Sequence, residues 1–503
     1  MRAFAQLLVD DLIKDAARLS VLKSNIQTKI LTPMINDLKN HELKNHDLKN
    51  HDLKNHELKN PRTSIQYLPH QDTGVRWMLE RETEKAPVCR GGILGDDMGL
   101  GKTFQTIGLL KNSPFDYKTL ILCPPALMNG WATELRDCGF AVSVATKMPL
   151  QEASVTLATY NIAHLHARDF VAARFGRVIL DEGHVIRNGK ATRRWWSCMA
   201  IASKSFCRWI LSATPIQNGD RDWTNLCWWL HVRAGPSTIP TLAPVIMLRR
   251  TMEDLRRIGG SVPPAPIFIR HSLSIPATSA EGKLFRVLTD RLDTLMDSHK
   301  ISALIKLELY MRIQQFLVHP QIYIESMRAK LKGAFPRPDW TGTATKFDAF
   351  SHELASSKDP TVVFCNFRAE MDRVVTLCKE LGRSVWSIRG GMGSDAIGQA
   401  IREASRDSSC VIVVQIVAGG AGLNLQFCKR ILFLSQHWNP AVVHQACGRC
   451  VRIGQTISVP VHFFSVDDPV ADNIDRRMLD LHLAKISAAK SVCSSLYIGG
   501  PWL

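Results

Sequence analysis

Three separated segments carry side chains suited to handling a polyphosphate: Asp96-Asp-Met-Gly-Leu-Gly-Lys-Thr103, Asp181-Glu-Gly-His184, and Gln445-Ala-Cys-Gly-Arg-Cys-Val-Arg-Ile-Gly-Gln455. In the first, Gly99, Gly101, Lys102 and Thr103 stand where a strand ends and a helix begins. Backbone N–H groups there can wrap phosphate oxygens. Lys102 would reach the β- and γ-phosphates, and the Thr103 hydroxyl would hold Mg²⁺. In the second, Asp181 follows the apolar run Arg177-Val-Ile-Leu180 and is paired with Glu182. A carboxylate at a strand end can bind Mg²⁺ through water while its neighbour deprotonates the attacking water. In the third, Arg449 and Arg452 are three apart, which predicts a shared helix face and guanidinium groups aimed at a γ-phosphate. Each segment has a plainer reading on its own: a glycine-rich turn, a solvated acidic pair, a surface arginine pair. The strict phosphate-loop pattern also has Gly where Asp96 stands.

The elements that would position these groups are legible as short apolar runs alternating with helical stretches from Pro61 onward. Thr119–Cys123, Val178–Leu180, Trp209–Leu211, Val362–Cys365, Val411–Val414 and Ile431–Leu434 lack polar alternation. Runs of that kind suit strands buried on both faces of a parallel sheet, with ligand loops at the strand ends. The expectation is α/β: a first lobe over residues 61–255, a connector with helical insertions over 256–343, a second lobe over 344–490, and a tail over 491–503. Helices are expected at Ala280 to Asp297 and Ser302 to Leu317. Residues 1–60 form an N-terminal segment in which a five-residue unit repeats over 36–60. Five residues advance an α-helix by about 500°, so Leu38, Leu43, Leu48, Leu53 and Leu58 spiral around it and make no apolar stripe. A low-complexity linker or solvated helix fits this better than a β-helix with so few coils.

Of 503 residues, 45% are hydrophobic and 22% charged, the balance of a globular chain with room for two or three domains. Lys and Arg outnumber Asp and Glu by 63 to 46, a formal charge of +17, which favours a polyanionic partner such as nucleic acid. No apolar run reaches the roughly 18 residues that a membrane span needs. Asp10 and Asp11 stand where a signal peptide needs its apolar segment. Thirteen cysteines without a framework fit reduced thiols in a cytosolic or nuclear compartment. Cys447 and Cys450 lack the second pair that a zinc ribbon requires.

The order Leu68-Pro-His-Gln71, Asp96–Thr103, Cys123-Pro-Pro125, Thr159-Tyr160, Asp181–His184, Leu211–Asn218, Val362–Phe367, Ala418–Leu425 and Gln445–Gln455 resembles the Swi/Snf family of superfamily-two helicase-like ATPases. The resemblance spans roughly residues 61–490 and implies two RecA-like lobes that bind ATP and Mg²⁺ between them. It implies that Gln71 reads adenine and that Ser212 and Thr214 couple nucleotide state to DNA grip. Gly419, Gly420, Gly422 and Asn424 match a loop that senses nucleotide and DNA, and Gln445 flanks the arginines. Trp131, Thr159 and Tyr160 fall in segments that in the family approach the DNA backbone. Gly183, with Ile186-Arg-Asn188, resembles the branch of helicase-like transcription factor and transcription termination factor. Some members of that branch carry a RING finger, and this chain has no Cys/His array of that kind. Val417, Ser435, His437 and Gly448 depart from the family pattern.

The function so implied is ATP-dependent translocation along double-stranded DNA, remodelling or displacing DNA-bound protein, nucleosomes included. The setting implied is the nucleus, or a virus-encoded motor acting on viral DNA. Two alternatives stay open: a strand-separating helicase or RNA-dependent ATPase with the same ATP chemistry, and a non-hydrolysing DNA-binding scaffold.

Overall fold

The runs Thr119–Cys123, Arg177–Asp181 and Cys207–Leu211 are strands buried along their whole length. Alternate side chains go to opposite faces. Leu120, Leu122, Val178, Leu180 and Ile210 enter one apolar cluster, whereas Ile121, Cys123, Ile179, Trp209 and Leu211 enter another. A sheet with a core on each face has no polar side, hence the missing alternation. Fully burying each such Leu or Ile contributes about 1.5–3 kcal/mol relative to leaving it exposed.

The computed structural model describes residues 66–84, 88–217, 219–260, 262–296, 303–331, 335–419, 423–467, 475 and 478. The pentapeptide repeat, Gly420 and Gly422 lie outside them. The chain divides into two compact units, one containing residues 276–342 and the other residues 58–275 with 343–503.

The larger unit holds two parallel sheets. The first is built from β1 (Gly91–Leu94), β2 (Thr119–Cys123), β3 (Val142–Val144), β4 (Val155–Thr159), β5 (Arg177–Asp181), β6 (Cys207–Leu211) and β7 (Met247–Leu248) in the order β3-β4-β2-β5-β6-β1-β7. The second uses β8 (Ile267–Leu273), β9 (Thr361–Cys365), β10 (Val385–Ile388), β11 (Val411–Gln415), β12 (Arg430–Phe433) and β13 (Pro460–Val466) in the order β10-β11-β9-β12-β13-β8. Every pairing in both sheets is parallel. The fold is therefore α/β with two parallel-sheet lobes.

One strand falls where the sequence predicts a connector. Residues 267–273 pair with β13 over seven registers, from Pro460↔Ile267 to Val466↔Leu273. Ile-Phe-Ile-Arg-His-Ser-Leu is interrupted by polar residues because it is an edge strand, half-buried at most along its length.

The smaller unit is helical over Ala280–Met296, Ala303–Val318 and Pro320–Lys330. Phe285 stacks on Phe316 at 6.2 Å, and Tyr323 meets Phe316 edge-on. Among the described residues no helix is long and apolar enough to cross a membrane.

Candidate active site

Strand order places β5, β6 and β1 side by side, with Asp181 paired to Leu211 and Leu211 to Leu94. The loops leaving their carboxyl ends must then converge, and these loops carry the first two phosphate-handling segments and Ser212. Gly99 and Gly101 adopt left-handed backbone, φ 82° and 80°, and the helix Lys102–Asn112 starts directly after them. A Cβ on Gly101 would stand 2.3 Å from Gln71 Nε2 and displace that amide, and the left-handed backbone itself favours glycine here. The Gln71 amide accepts from Leu68 N at 3.1 Å and donates to Leu100 O at 3.3 Å.

Asp96, where the strict pattern has glycine, is fully buried and bound by Arg250 through its guanidinium and backbone N–H. Asp97 Oδ2 accepts from Met252 N at 3.1 Å, and Asp97 Oδ1 lies 3.6 Å from Arg249. The paired acids thus fasten the loop to the chain leaving β7. Lys102 Nζ donates to the Asp96 and Asp97 carbonyls at 2.7 and 3.1 Å, and burial holds its amine below the ordinary lysine range.

Asp181 is gripped from two sides. Trp131 Nε1 donates to its Oδ2 at 2.7 Å and the Tyr160 hydroxyl to its backbone O at 2.7 Å. Both aromatics are buried, and Thr159 caps its own helix by accepting from Ile162 N at 3.2 Å. Trp131 and Tyr160, two of the three residues implied near DNA, thus hold the carboxylate loop, and Thr159 caps the helix beside it. Burial and the neighbouring Glu182 raise the Asp181 carboxyl, while the Trp131 bond and Lys102 oppose the rise. Trp131→Phe removes that bond while keeping an aromatic ring at this buried position. The Mg²⁺ concentration for half-maximal ATP hydrolysis is expected to rise about tenfold, as when an outer partner of a metal ligand is lost. An unchanged Mg²⁺ requirement would contradict the role.

Glu182 sits in the left-handed region, φ 51° and ψ 42°, uncommon for a residue with a side chain. Gly183 follows it because a Cβ there would meet Ile210 Cγ2 at 2.7 Å. Burial alone would raise the Glu182 carboxyl, but the His184 hydrogen bond, then the charges of His184, Arg449 and Lys102, hold it lower than usual. It is the member of the acidic pair held in its ionised form.

From Glu182 a polar chain runs toward the second lobe. His184 Nδ1 lies 3.3 Å from Glu182 Oε2 and 3.1 Å from Ser212 Oγ, which accepts from Thr214 N at 3.2 Å. Gln217 Nε2 donates to Thr214 Oγ1 at 3.1 Å, and Asn439 Nδ2 donates to Gln217 Oε1 at 3.1 Å. Asn439 also caps the helix Pro440–Cys447, accepting from Ala441 N at 3.1 Å. Sequence reasoning assigns Ser212 and Thr214 but misses Gln217, which stands in the same segment Leu211–Asn218, and Asn439, which stands beside the departures at Ser435 and His437.

That helix ends at Cys447, so Arg449 and Arg452 do not share the predicted helix face. Short turns such as Arg449 N to Ala446 O and Cys450 N to Cys447 O carry the chain onward. Both arginines still reach the first lobe. Arg449 Nη2 lies 4.0 Å from Glu182 Oε1, and a Cβ on Gly99 would lie 3.2 Å from Arg452 Cα. Burial lowers both guanidiniums, that of Arg452 to about 10. Gly448 fits this approach, since a Cβ there would meet Met98 Cβ at 2.9 Å. Gln445 is buried on the same helix; Asn424 is exposed, its side chain accepting from Gln426 N at 3.3 Å. Cys447 and Cys450 are buried in the core of the second sheet.

Ser435 also has a reason to differ from the family's acid. It donates to Glu370 Oε2 at 2.9 Å, and Asn366 N and Phe367 N donate to the same oxygen. Burial pushes Glu370 from 4.5 up to about 7. A second carboxylate beside it would repel. Between these two values the native state holds a proton that the unfolded chain has released, so this group's contribution to stability falls as pH rises through the window. Glu370→Gln is expected to gain melting temperature relative to wild type from about pH 5 to about pH 8. An equal difference at both ends would contradict the burial argument.

Lys102, Arg449 and Arg452 are three cations whose charged forms burial penalises, gathered around two left-handed glycines. A polyanion would offset that penalty, so the residues fit a nucleoside triphosphate. Thr103, second residue of the helix after the glycines, and Asp181, at the end of β5, offer a hydroxyl and a carboxylate, oxygen donors of the kind that suit Mg²⁺.

Comparison with known proteins agrees. The SNF2-related domain matches residues 70–236 and the helicase conserved C-terminal domain residues 345–454. A probable global transactivator of Orgyia pseudotsugata multicapsid polyhedrosis virus is 25% identical over 82% of this chain and 88% of its own. A putative ATP-dependent helicase/translocase of Bacillus subtilis is 24% identical over 81% of this chain and 47% of its own. SWI/SNF-related matrix-associated actin-dependent regulator of chromatin subfamily A member 1 of Mus musculus is 25% identical over 83% of this chain and 43% of its own. The chain thus spans most of the viral relative and under half of the other two. It belongs to the Swi/Snf family of superfamily-two helicase-like ATPases.

Proposed function

We propose that the chain is an ATP-dependent double-stranded DNA translocase, closing its two lobes over Mg-ATP and reopening after hydrolysis to move along DNA and displace bound protein. The observation that carries this reading is the approach of Arg449 to Glu182 and of Arg452 to Gly99. Groups of the second lobe thereby complete a pocket begun by the first, so bond cleavage and lobe movement share one seam.

In this reading Lys102 and the N–H groups after Gly99 and Gly101 bind the phosphates, and Gln71 monitors the base from the helix packed against that loop. Mg²⁺, when bound, offsets charge on the β- and γ-phosphates, with Thr103 and Asp181 as its protein partners. Glu182 takes the proton of the attacking water. The guanidiniums of Arg449 and Arg452 stabilise the charge that develops on the transferred group. The chain from His184 through Ser212, Thr214 and Gln217 to Asn439 reports the state of that pocket to the second lobe. The formal charge of +17 suits a backbone-reading, salt-sensitive grip on duplex DNA with little base preference. A nuclear or viral setting accords with the kinds of relative the chain resembles.

The test is ATP hydrolysis measured in parallel with duplex DNA, single-stranded DNA, RNA and nucleosomes. Duplex DNA and nucleosomes are expected to stimulate most, and the stimulation is expected to fall steeply with salt. Stimulation confined to single strands or RNA, with separation of a forked duplex, would replace this reading by the helicase alternative.

A further inference from the structure

The edge of the second sheet carries a polar cluster remote in chemistry from the nucleotide pocket. β8 and β13 pair with His271 opposite Phe464 and with Ile269 opposite His462. His271 and His462 are therefore diagonal neighbours on one face. Glu353, from the helix Thr345–Ala355 packed on that face, completes the group.

The separations are those of ligands around one small cation. His271 Nε2 and His462 Nδ1 share a hydrogen bond at 3.0 Å, whose proton a bound cation would displace; His462 Nδ1 lies 3.5 Å from Glu353 Oε1, and His271 Nε2 lies 3.9 Å from Glu353 Oε2. Donors about 2.0–2.1 Å from a tetrahedral zinc ion are separated from one another by roughly 3.3–3.4 Å. The donors are also held in place. The His271 ring stacks on Phe464 at 4.5 Å and 7°, and on His462 at 5.3 Å. Arg430 binds Glu353 Oε1, the oxygen near His462, while Oε2 is the one that faces His271. Two histidines and one carboxylate leave a fourth position open to water, a donor set that suits zinc.

We propose that His271, His462 and Glu353 form a binding site for a zinc-class divalent cation. His271 and Glu353 are far apart in the chain, so the cation ties β8 to the helix Thr345–Ala355 at the edge of the second sheet. Its role is structural: it fastens β8, an edge strand with few buried side chains, to β13. The guanidinium of Arg430 competes for the shared carboxylate, which sets the affinity below that of a closed four-ligand site.

The test uses the full chain, stripped with a chelator and titrated without nucleotide, using Co²⁺ for spectroscopy and Zn²⁺ for thermal stability. One Co²⁺ is expected to bind with visible d–d bands and no thiolate charge-transfer band, and Zn²⁺ is expected to raise the melting temperature. His271→Gln and His462→Gln should each weaken Co²⁺ binding at least tenfold and abolish the Zn²⁺ effect. His271 is the more exposed of the two rings, with 26% of its side chain accessible, so its variant guards against loss of fold. ATP hydrolysis by metal-stripped His271→Gln should match that of stripped wild type. Unchanged Co²⁺ affinity in both variants, a thiolate charge-transfer band that marks a cysteine site, or no binding by wild type would each overturn the proposal.

Discussion

Replacing Glu182 with glutamine is expected to lower ATP turnover about 10³-fold while leaving ATP bound, the effect of removing a general base without removing its bulk. The side chain is placed for that loss to be specific. It occupies a left-handed backbone position directly after the Asp181 strand, and its carboxyl is kept ionised by His184, Arg449 and Lys102. Glutamine retains the shape but cannot accept the proton. The readout is kcat beside the dissociation constant of a fluorescent ATP analogue. Normal turnover would contradict the base assignment, and loss of nucleotide binding would make Glu182 a structural residue.

Arg449→Ala and Arg452→Ala are expected to lower kcat about 10³-fold or more, as loss of an arginine finger does, with KM changing far less. The two should differ in their pH dependence. Arg449 lies 4.0 Å from Glu182 and is among the charges that depress that carboxyl. Its removal lets the Glu182 value rise, so the acidic limb of the pH–rate profile should move upward for Arg449→Ala. For Arg452→Ala that limb should stay closer to wild type, because Arg452 Nε is turned to Gly448 O at 2.9 Å. Equal losses in affinity and turnover would assign the arginines to ground-state binding instead.

What could be read from the chain followed from local chemistry. Both sheets were legible because strands buried on two faces leave continuous apolar runs, and the phosphate loop because Gly99, Gly101 and Lys102 have fixed spacing. β8 was missed because an edge strand buries too little to suppress its polar residues. The helix end at Cys447 was missed because the three-residue spacing of Arg449 and Arg452 reads as helical, although Gly448 is a residue that commonly closes a helix. The bond from Trp131 to Asp181 was not legible, because an indole N–H that supports a carboxylate looks in sequence like any aromatic near a motif. Arg250 and Asn439 depend on partners about 150 and 220 residues away in the chain, a relation no local pattern contains. The departures at Asp96, Gly183, Ser435 and Gly448 became intelligible only once Arg250, Ile210, Glu370 and Met98 were seen beside them.

The most direct test of a motor driven from the lobe seam is displacement of a triplex-forming strand from duplex DNA, by wild type and by Arg452→Ala, each saturated with ATP and DNA. Wild type should strip the third strand only when ATP is hydrolysed, and the variant should bind both ligands yet leave the triplex intact. Displacement by the variant at the wild-type rate would mean that the second lobe's guanidiniums do not drive the motion.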